Sequence, residues 1–195
     1  MLEYHIIPYK QHRNNCAIAC MLMVLEYYKI ILKANYFYEK DYEKRYHSRY
    51  MDGTPFSAIA YHLSKNHLNV QLIHSEKEYF TNQAQFLPDS VFQNTMQEYQ
   101  NYLKGIIETG GEVKTGVDMT ISFIQEQLQN GYLIILAGMI GKALHAILIC
   151  GYDFDKFIIC DPLYKKRQPK SQDELETFMS TPIGKWCILV KNDVM

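Results

Sequence analysis

The stretch from Cys16 to Tyr28 reads CAIACMLMVLEYY, and it is apolar on nearly every side. A helix of this composition is typical of the buried centre of a domain. The preceding residues, Lys10–Asn15, are polar, and Asn14 and Asn15 are residue types that favour the start of a helix. We therefore predict that Cys16 opens a buried central helix directly after a polar loop.

The second half of the chain supplies the predicted sheet. Apolar runs of strand length cover 132–137, 144–151, 157–161 and 186–190. Helical spacing of apolar or aromatic residues predicts further helices at 36–50, 92–106 and 120–129. Helices that come first and strands that follow predict an α+β fold with a mainly antiparallel sheet.

Size and composition predict one globular domain over residues 1–195. The net charge is -1, so no charge excess points to a nucleic-acid partner, and no apolar run is long enough to span a membrane. The N-terminus lacks the features of a secretory signal, and five cysteines, an odd number, favour reduced thiols. We expect a chain that is cytoplasmic, or exported by a specialised secretion system without a cleaved signal peptide.

Three features leave alternatives open. Tyrosines recur every four residues from Tyr38 to Tyr50, and they form either part of the core or a substrate-binding surface. The long polar region 76–118 is either a cap over a cleft or a packing element. The basic residues after Pro162 (Lys165, Lys166, Arg167 and Lys170) form a solvated loop or favour an acidic substrate.

Cys16 is the cysteine best placed for chemistry. A thiolate is the reactive form of cysteine, and the N-terminus of a helix favours a negative charge. Cys20 lies one turn further along the same helix, whereas Cys150, Cys160 and Cys187 lie inside apolar strands and are typical of core packing. Cys16 is therefore the candidate nucleophile.

The predicted hairpin supplies a candidate base. His145 and Asp161 are equally distant in sequence from Asp153, the middle of the predicted turn, so this register places them directly opposite each other. A carboxylate can then hold one imidazole nitrogen while the other meets a nucleophile. A purely structural His–Asp pair is the alternative interpretation of the same pattern. Among the remaining histidines, His12, His47, His67 and His74 lie in polar contexts that predict solvated side chains, whereas His5 and His62 are expected to be partly buried.

Gln11 lies in the polar loop, five residues before Cys16. Its side-chain amide, together with the backbone N–H of Cys16, could stabilise the oxyanion that forms when a thiolate attacks a carbonyl group. Gln11 is therefore the candidate oxyanion donor.

Two motifs resemble those of the C39-like peptidases. The first comprises Gln11 and the run NCAIACMLMVL that starts at Asn15, and the second comprises LHAILICGYD from Leu144 followed by IICDP ending at Pro162. The AvrRpt2-like bacterial effector proteases are similar in the order of these parts. The resemblance implies a papain-like cysteine protease fold, in which the helix that carries Cys packs on an antiparallel sheet that carries His and Asp.

By position, the resemblance gives Cys16 the role of nucleophile, His145 that of base, Asp161 that of orienting carboxylate and Gln11 that of oxyanion donor. It implies a protein or peptide substrate and neither a cofactor nor a metal. The sequence departs from the family pattern at Ala17 and Ile18, where the family usually has Gly and often Pro, and Gln11 lies one residue nearer to Cys16 than is common.

The leading interpretation is a cysteine hydrolase that cleaves a peptide or isopeptide bond through a thioester. The same three residues could instead serve a glutamine deamidase or an acyltransferase, because these reactions differ only in the group attacked or the acceptor. A degenerate binding domain without catalysis is a third interpretation. A metal site built from Cys16, Cys20, Cys150 and His145 is a fourth, although the spacing is not that of a zinc knuckle.

Overall fold

A computed structural model describes residues 1–49, 53–74, 87–181 and 185–193 of the chain. The helices in these ranges are α1 (Cys16–Tyr27), α2 (Tyr36–Tyr46), α3 (Phe56–Lys65), α4 (Asp89–Glu108), α5 (Ile121–Gln129) and α6 (Gln172–Met179). The strands are β1 (Leu2–Glu3), β2 (Asn69–His74), β3 (Glu112–Thr115), β4 (Leu133–Ile140), β5 (Ala143–Asp153), β6 (Lys156–Cys160), β7 (Arg167–Ser171) and β8 (Cys187–Lys191).

These strands form one sheet in the order β3-β2-β8-β4-β5-β6-β7, with β1 paired to the end of β5. Neighbouring strands are antiparallel except for β2 and β3, which are parallel. The α+β prediction with a mainly antiparallel sheet is therefore confirmed.

Both faces of the sheet are buried, and this explains why its central strands are continuously apolar. Leu148 and Ile188 belong to a core shared with α1 and α3, whereas their neighbours Ile147 and Leu189 belong to a core shared with α5 and α6. Successive side chains of a strand point to opposite faces, so each strand contributes to both cores.

The helix α1 lies at the centre of the first core, as predicted. It begins at Cys16, and all residues from Ala17 to Leu25 are buried. Its contacts with β5 and with α2 and α3 account for its apolar composition on every side. No helix in the described ranges combines the length and the apolar character that crossing a membrane requires.

The region 76–118 lies partly outside the described residues, because 76–86 are not described. Of the remainder, α4 packs against α3, and β3 extends the sheet beyond β2. The same helix also contributes Thr95, Glu98 and Tyr99 to the cleft described below. This part of the chain therefore packs on the domain and also borders the cleft.

The basic segment after Pro162 is a solvated loop at Lys165 and Lys166, which are exposed, but not beyond them. Arg167–Ser171 forms the edge strand β7, paired with β6, and the Arg167 guanidinium donates to the carboxylate of Glu3. An edge strand tolerates both the charges and Pro169, because one side of its backbone needs no partner.

The tyrosine stripe of α2 is largely a packing feature. The rings of Tyr42 and Tyr46 stack at a centroid distance of 6.1 Å, and both rings contact His62 of α3. Tyr42 is buried. Tyr50, the last residue of the predicted stripe, lies outside the described residues.

Candidate active site

Cys16 lies on a cleft between α1, the hairpin of β4 and β5, and the region around α3 and α4. The cleft has a volume of about 550 Å³, and Gln11, Cys16 and His145 all line it. Cys16 is partly exposed, whereas the four other cysteines are buried, and all five are free thiols. The helix start thus brings one accessible thiol to the wall of a substrate-sized cavity.

His145 lies between Asp161 and Cys16. Its Nε2 is 2.8 Å from Oδ1 of Asp161, and the same oxygen accepts a hydrogen bond from the backbone N–H of Leu163 at 2.9 Å. Burial alone would lower the pKa of His145, but hydrogen bonds with Asp161 and with Cys16 outweigh it and raise the pKa to about 9. Because Asp161 occupies Nε2, the nitrogen left for the thiol is Nδ1.

The predicted register of the hairpin is wrong in one respect. His145 and Asp161 are not directly opposed, because Leu148 pairs with Cys160 and the ladder, continued by one residue, puts Asp161 opposite Ile147. His145 is therefore a diagonal neighbour, displaced along β5 by two residues. A displacement of two residues keeps both side chains on the same face, and their contact follows from that.

A β-bulge between Ile149 and Gly151 makes this arrangement possible. The tight turn after Asp153 pairs Asp153 with Lys156, and this register alone would place Asp161 on the opposite face from His145. The bulge adds one residue to β5, which restores the common face. Gly151 also lacks the side chain that would collide with the Leu2 carbonyl oxygen, 2.3 Å from an ideal Cβ.

Phe178 of α6 fixes the other side of the imidazole. Its ring meets His145 edge-on at a centroid distance of 6.4 Å. Gly138 pairs with His145 across the strands, and a Cβ at Gly138 would lie 2.3 Å from the Phe178 ring. The glycine therefore leaves the space into which Phe178 packs against His145.

The polar loop before α1 is held by Glu39 of α2, a fully buried carboxylate. Its Oε1 accepts from the His12 backbone N–H at 2.8 Å and from Asn15 Nδ2 at 3.0 Å. Its Oε2 accepts from the Tyr9 hydroxyl at 2.7 Å and lies 3.0 Å from His12 Nδ1. One side chain thus ties together three residues of the loop that leads to Cys16.

This arrangement leaves the N-terminus of α1 without its usual side-chain cap. Asn15 occupies the N-cap position, but its side chain makes no capping hydrogen bond and donates to Glu39 and to the His12 carbonyl instead. The backbone N–H groups of the first turn therefore receive no side-chain cap from Asn15, and Cys16, which contributes one of them, lines the cleft.

Gln11 belongs to the same loop and lines the cleft. Its Nε2 donates to the Arg13 carbonyl at 2.7 Å, its backbone N–H donates to the Pro162 carbonyl at 2.9 Å, and its Oε1 is buried with no hydrogen-bond partner among the described residues. The second hydrogen of the amide group remains for another acceptor. Gln11 also links the loop to the turn that carries Asp161.

Three features of the site were missed or misjudged from the sequence. Glu39 and Phe178 reach the site from other helices, and no local pattern marks them. His74, expected to be solvated, is 1% exposed and bonds the Tyr99 hydroxyl at 2.9 Å. Burial lowers its pKa to about 4.

The sequence left open a metal site built from Cys16, Cys20, Cys150 and His145. In the parts of the chain that the structure describes, no group of three or more His, Cys, Asp or Glu side chains is arranged to hold a metal ion.

The sequence model of the Peptidase C39 like family matches residues 3–191. The chain belongs to this family. It is a papain-like cysteine peptidase, and the resemblance of its two motifs to the C39-like peptidases is confirmed.

One solved structure similar to this C39-like chain is the peptidase domain of Streptococcus ComA, a bi-functional ABC transporter involved in a quorum sensing pathway. The sequence identity is 15% and the TM-score is 0.49, over 97% of this chain and 99% of that domain. Among curated proteins, none matches this chain.

Proposed function

We propose that this peptidase hydrolyses a peptide or isopeptide bond through a thioester on Cys16, with His145 as acid and base, Asp161 as orienting carboxylate and Gln11 as oxyanion donor. The observation that carries the proposal is the position of His145, whose Nε2 lies 2.8 Å from Oδ1 of Asp161 and whose pKa is raised by interactions with both Asp161 and Cys16. Triads of this kind are recognised by geometry and role rather than by sequence position.

In the first half of the reaction, the Cys16 thiolate attacks the substrate carbonyl carbon. The protonated imidazole of His145 next to it favours the thiolate form. The oxyanion that forms is stabilised by the Cys16 backbone N–H and the Gln11 amide. The C–N bond then breaks, His145 gives its proton to the leaving amine, and the acyl group stays on sulfur.

In the second half, water attacks the thioester while His145 takes one of its protons. The C–S bond breaks, the carboxylic acid product leaves and the thiolate is regenerated next to a protonated His145. Asp161 stabilises the imidazolium in both halves, and its second hydrogen bond, from Leu163 N–H, holds the carboxylate in place.

Mass spectrometry of candidate proteomes tests the proposal and distinguishes its rivals. Extracts are incubated with wild type or with Cys16→Ala, and new chain termini, unit-mass deamidations and acyl adducts are counted. New termini that appear with wild type alone support hydrolysis. Deamidated glutamines or transferred acyl groups would replace the proposal with a deamidase or an acyltransferase, and no Cys16-dependent change would favour a non-catalytic domain.

The oxyanion role of Gln11 has its own test, Gln11→Ala. Loss of a single oxyanion donor lowers turnover by about 10²–10³, whereas alkylation of Cys16 by iodoacetamide should keep its rate because no oxyanion forms in that reaction. Unchanged turnover would exclude Gln11 and point to Asn14, which also lines the cleft.

A further inference from the structure

We infer, on the basis of the proposed function, that the wall of the cleft formed by α4 and the start of α3 is a subsite for a lysine or arginine side chain of the substrate, with Glu98 as its carboxylate partner. The substrate class is then a peptide with a basic residue near the bond that is cleaved.

The two walls of the cleft differ in chemistry. The wall on the side of the β4–β5 hairpin is apolar and includes Ile140, Leu144 and Leu163. The opposite wall carries polar side chains from three segments, namely Ser48, Thr54, Ser57, Thr95 and Glu98. A peptide in the cleft therefore meets hydrogen-bonding groups on one side only.

Glu98 supplies a negative charge that has no cationic partner in the part of the chain that the structure describes. It is the one carboxylate among the described residues that line the cleft, and no described residue forms an ion pair with it. Its Oε2 accepts a hydrogen bond from the Ser48 hydroxyl at 2.8 Å. A partly buried carboxylate with one hydroxyl donor can accept further hydrogen bonds, and cationic donors make the strongest of them.

Two hydroxyl groups on the same wall also lack partners. Ser57 is 1% exposed, and its Oγ and the Oγ1 of Thr54 are buried with no hydrogen-bond partner among the described residues. Buried polar atoms are nearly always hydrogen-bonded in folded proteins. A guanidinium or ammonium group bound by Glu98 offers several N–H donors, so it could satisfy these oxygens as well.

The aromatic residues of the cleft suit the stem of a basic side chain. Phe56, Tyr99 and Trp186 line the cavity next to the polar wall and pack in one cluster. The methylene groups of lysine and arginine pack on apolar surfaces while the charged end reaches a polar group, and a cation close to an aromatic ring is attracted to its face.

The arrangement of positive charges argues against an acidic substrate. Among the described residues that line the cleft, none is lysine or arginine. Lys165 and Lys166 are exposed outside it, and Arg167 is paired with Glu3. Arg49 lies outside the cleft lining. Its charge lowers the pKa of Tyr102 and the charge of Glu98 raises it, but no ion pair joins Arg49 to Glu98.

The test uses peptidyl acyloxymethyl ketones that alkylate the nucleophilic thiol. The set places Lys, Arg, Ala or Glu in turn at each of several positions of one peptide, and the measured quantity is the second-order rate of Cys16 labelling. The proteins are wild type, Glu98→Gln, Glu98→Lys and the control Glu108→Gln, which lies on the same helix outside the cleft and is paired with Lys104. Iodoacetamide reports on the thiol alone.

At one of the substituted positions of the peptide, we expect wild type and Glu108→Gln to react about tenfold faster with the Lys or Arg probe than with the Ala probe. A factor of this size is typical of one charge-assisted hydrogen bond. Glu98→Gln should remove this preference and Glu98→Lys should reverse it toward the Glu probe, with iodoacetamide rates unchanged. Equal rates for basic, neutral and acidic probes, or a preference that survives Glu98→Gln, would overturn the subsite. Failure of every peptide probe to label Cys16 in wild type would count against the proposed function itself.

Discussion

At the scale of single residues, Cys16 differs from the other cysteines in what surrounds its thiol. Burial raises the pKa of the Cys20 thiol well above its ordinary value and does the same to the pKa of Cys187. The Cys150 and Cys160 sulfurs form a hydrogen bond of 3.9 Å in the core. This hydrogen bond and burial together raise the pKa of Cys150. Cys16 alone is partly exposed, and it interacts with a histidine, His145, whose pKa it helps to raise.

We therefore expect limiting iodoacetamide at about pH 6 to label Cys16 first, because thiolates react and neutral thiols do not. Peptide mapping by mass spectrometry measures the order of labelling. The control Cys187→Ser should leave the rate at Cys16 unchanged. Faster labelling of Cys150, Cys160 or Cys187 would remove Cys16 as the nucleophile.

Asp161 extends to higher pH the range in which His145 stays protonated. The hydrogen bond from His145 to Asp161 is one of the interactions that raise the pKa of His145 to about 9, so an ion pair with the thiolate should persist up to that pH and be lost above it. Asp161→Asn should weaken this effect, lower turnover and move the basic limb of the pH–rate profile to lower pH.

The measurement is kcat/KM between pH 6 and pH 10 for both proteins, with circular dichroism as the check on folding. A basic limb that stays in place in Asp161→Asn would mean that the carboxylate does not set the charge state of the imidazole.

At the scale of elements, the loop before α1 is organised by α2 through Glu39. Glu39→Gln keeps one acceptor oxygen but replaces the other, which accepts from the Tyr9 hydroxyl and meets His12 Nδ1. We expect kcat to fall about 10–100-fold, because a small displacement of the loop that leads to Cys16 would move the reacting groups out of the geometry that the transition state requires. KM and the rate of Cys16 alkylation should change little.

Glu43→Gln is the matched control, one turn further along α2, and should leave kcat unchanged. A loss of kcat in Glu39→Gln that merely follows the folded fraction, measured by urea unfolding, would show that Glu39 has a structural role only.

The elements also show how far the sequence leads. The helix at Cys16 was predictable because an all-apolar run after two asparagines has few other solutions. The bulge at Cys150 was not predictable, because the sequence of an apolar strand looks the same with or without an extra residue. Gly151 was the only residue that indicated it. β7 was missed because Pro169 and the charges argue against an interior strand, and an edge position tolerates both. Glu39 and Phe178 reach the site only through tertiary packing.

At the scale of the whole molecule, buried histidines should shape stability against pH. Burial lowers the pKa of His62 to about 4, and the Arg45 and Lys65 charges act in the same direction. The unfolded chain takes up this proton near pH 6.5, so the free energy of unfolding should fall as the pH drops from about 6.5 to about 4. The raised pKa of His145 acts oppositely, and its contribution should be lost between about pH 6.5 and pH 9.

Urea unfolding across this range checks the expectation, which is a maximum of stability near pH 6.5. His62→Gln should flatten the acidic side of the profile, whereas the exposed His5→Gln should not. An acidic side with the same slope in wild type and His62→Gln would exclude His62 as its cause.

If Cys16 carries the acyl group of a cleaved substrate, the acyl-enzyme can be trapped on its thiol. A peptide substrate identified by its new termini is mixed with wild type, the reaction is quenched in acid within the first turnover, and the protein is mapped by mass spectrometry. We expect an adduct on Cys16 with the mass of the N-terminal fragment, sensitive to hydroxylamine and absent in Cys16→Ala. Turnover by Cys16→Ala at the wild-type rate, or an adduct on any other residue, would contradict it.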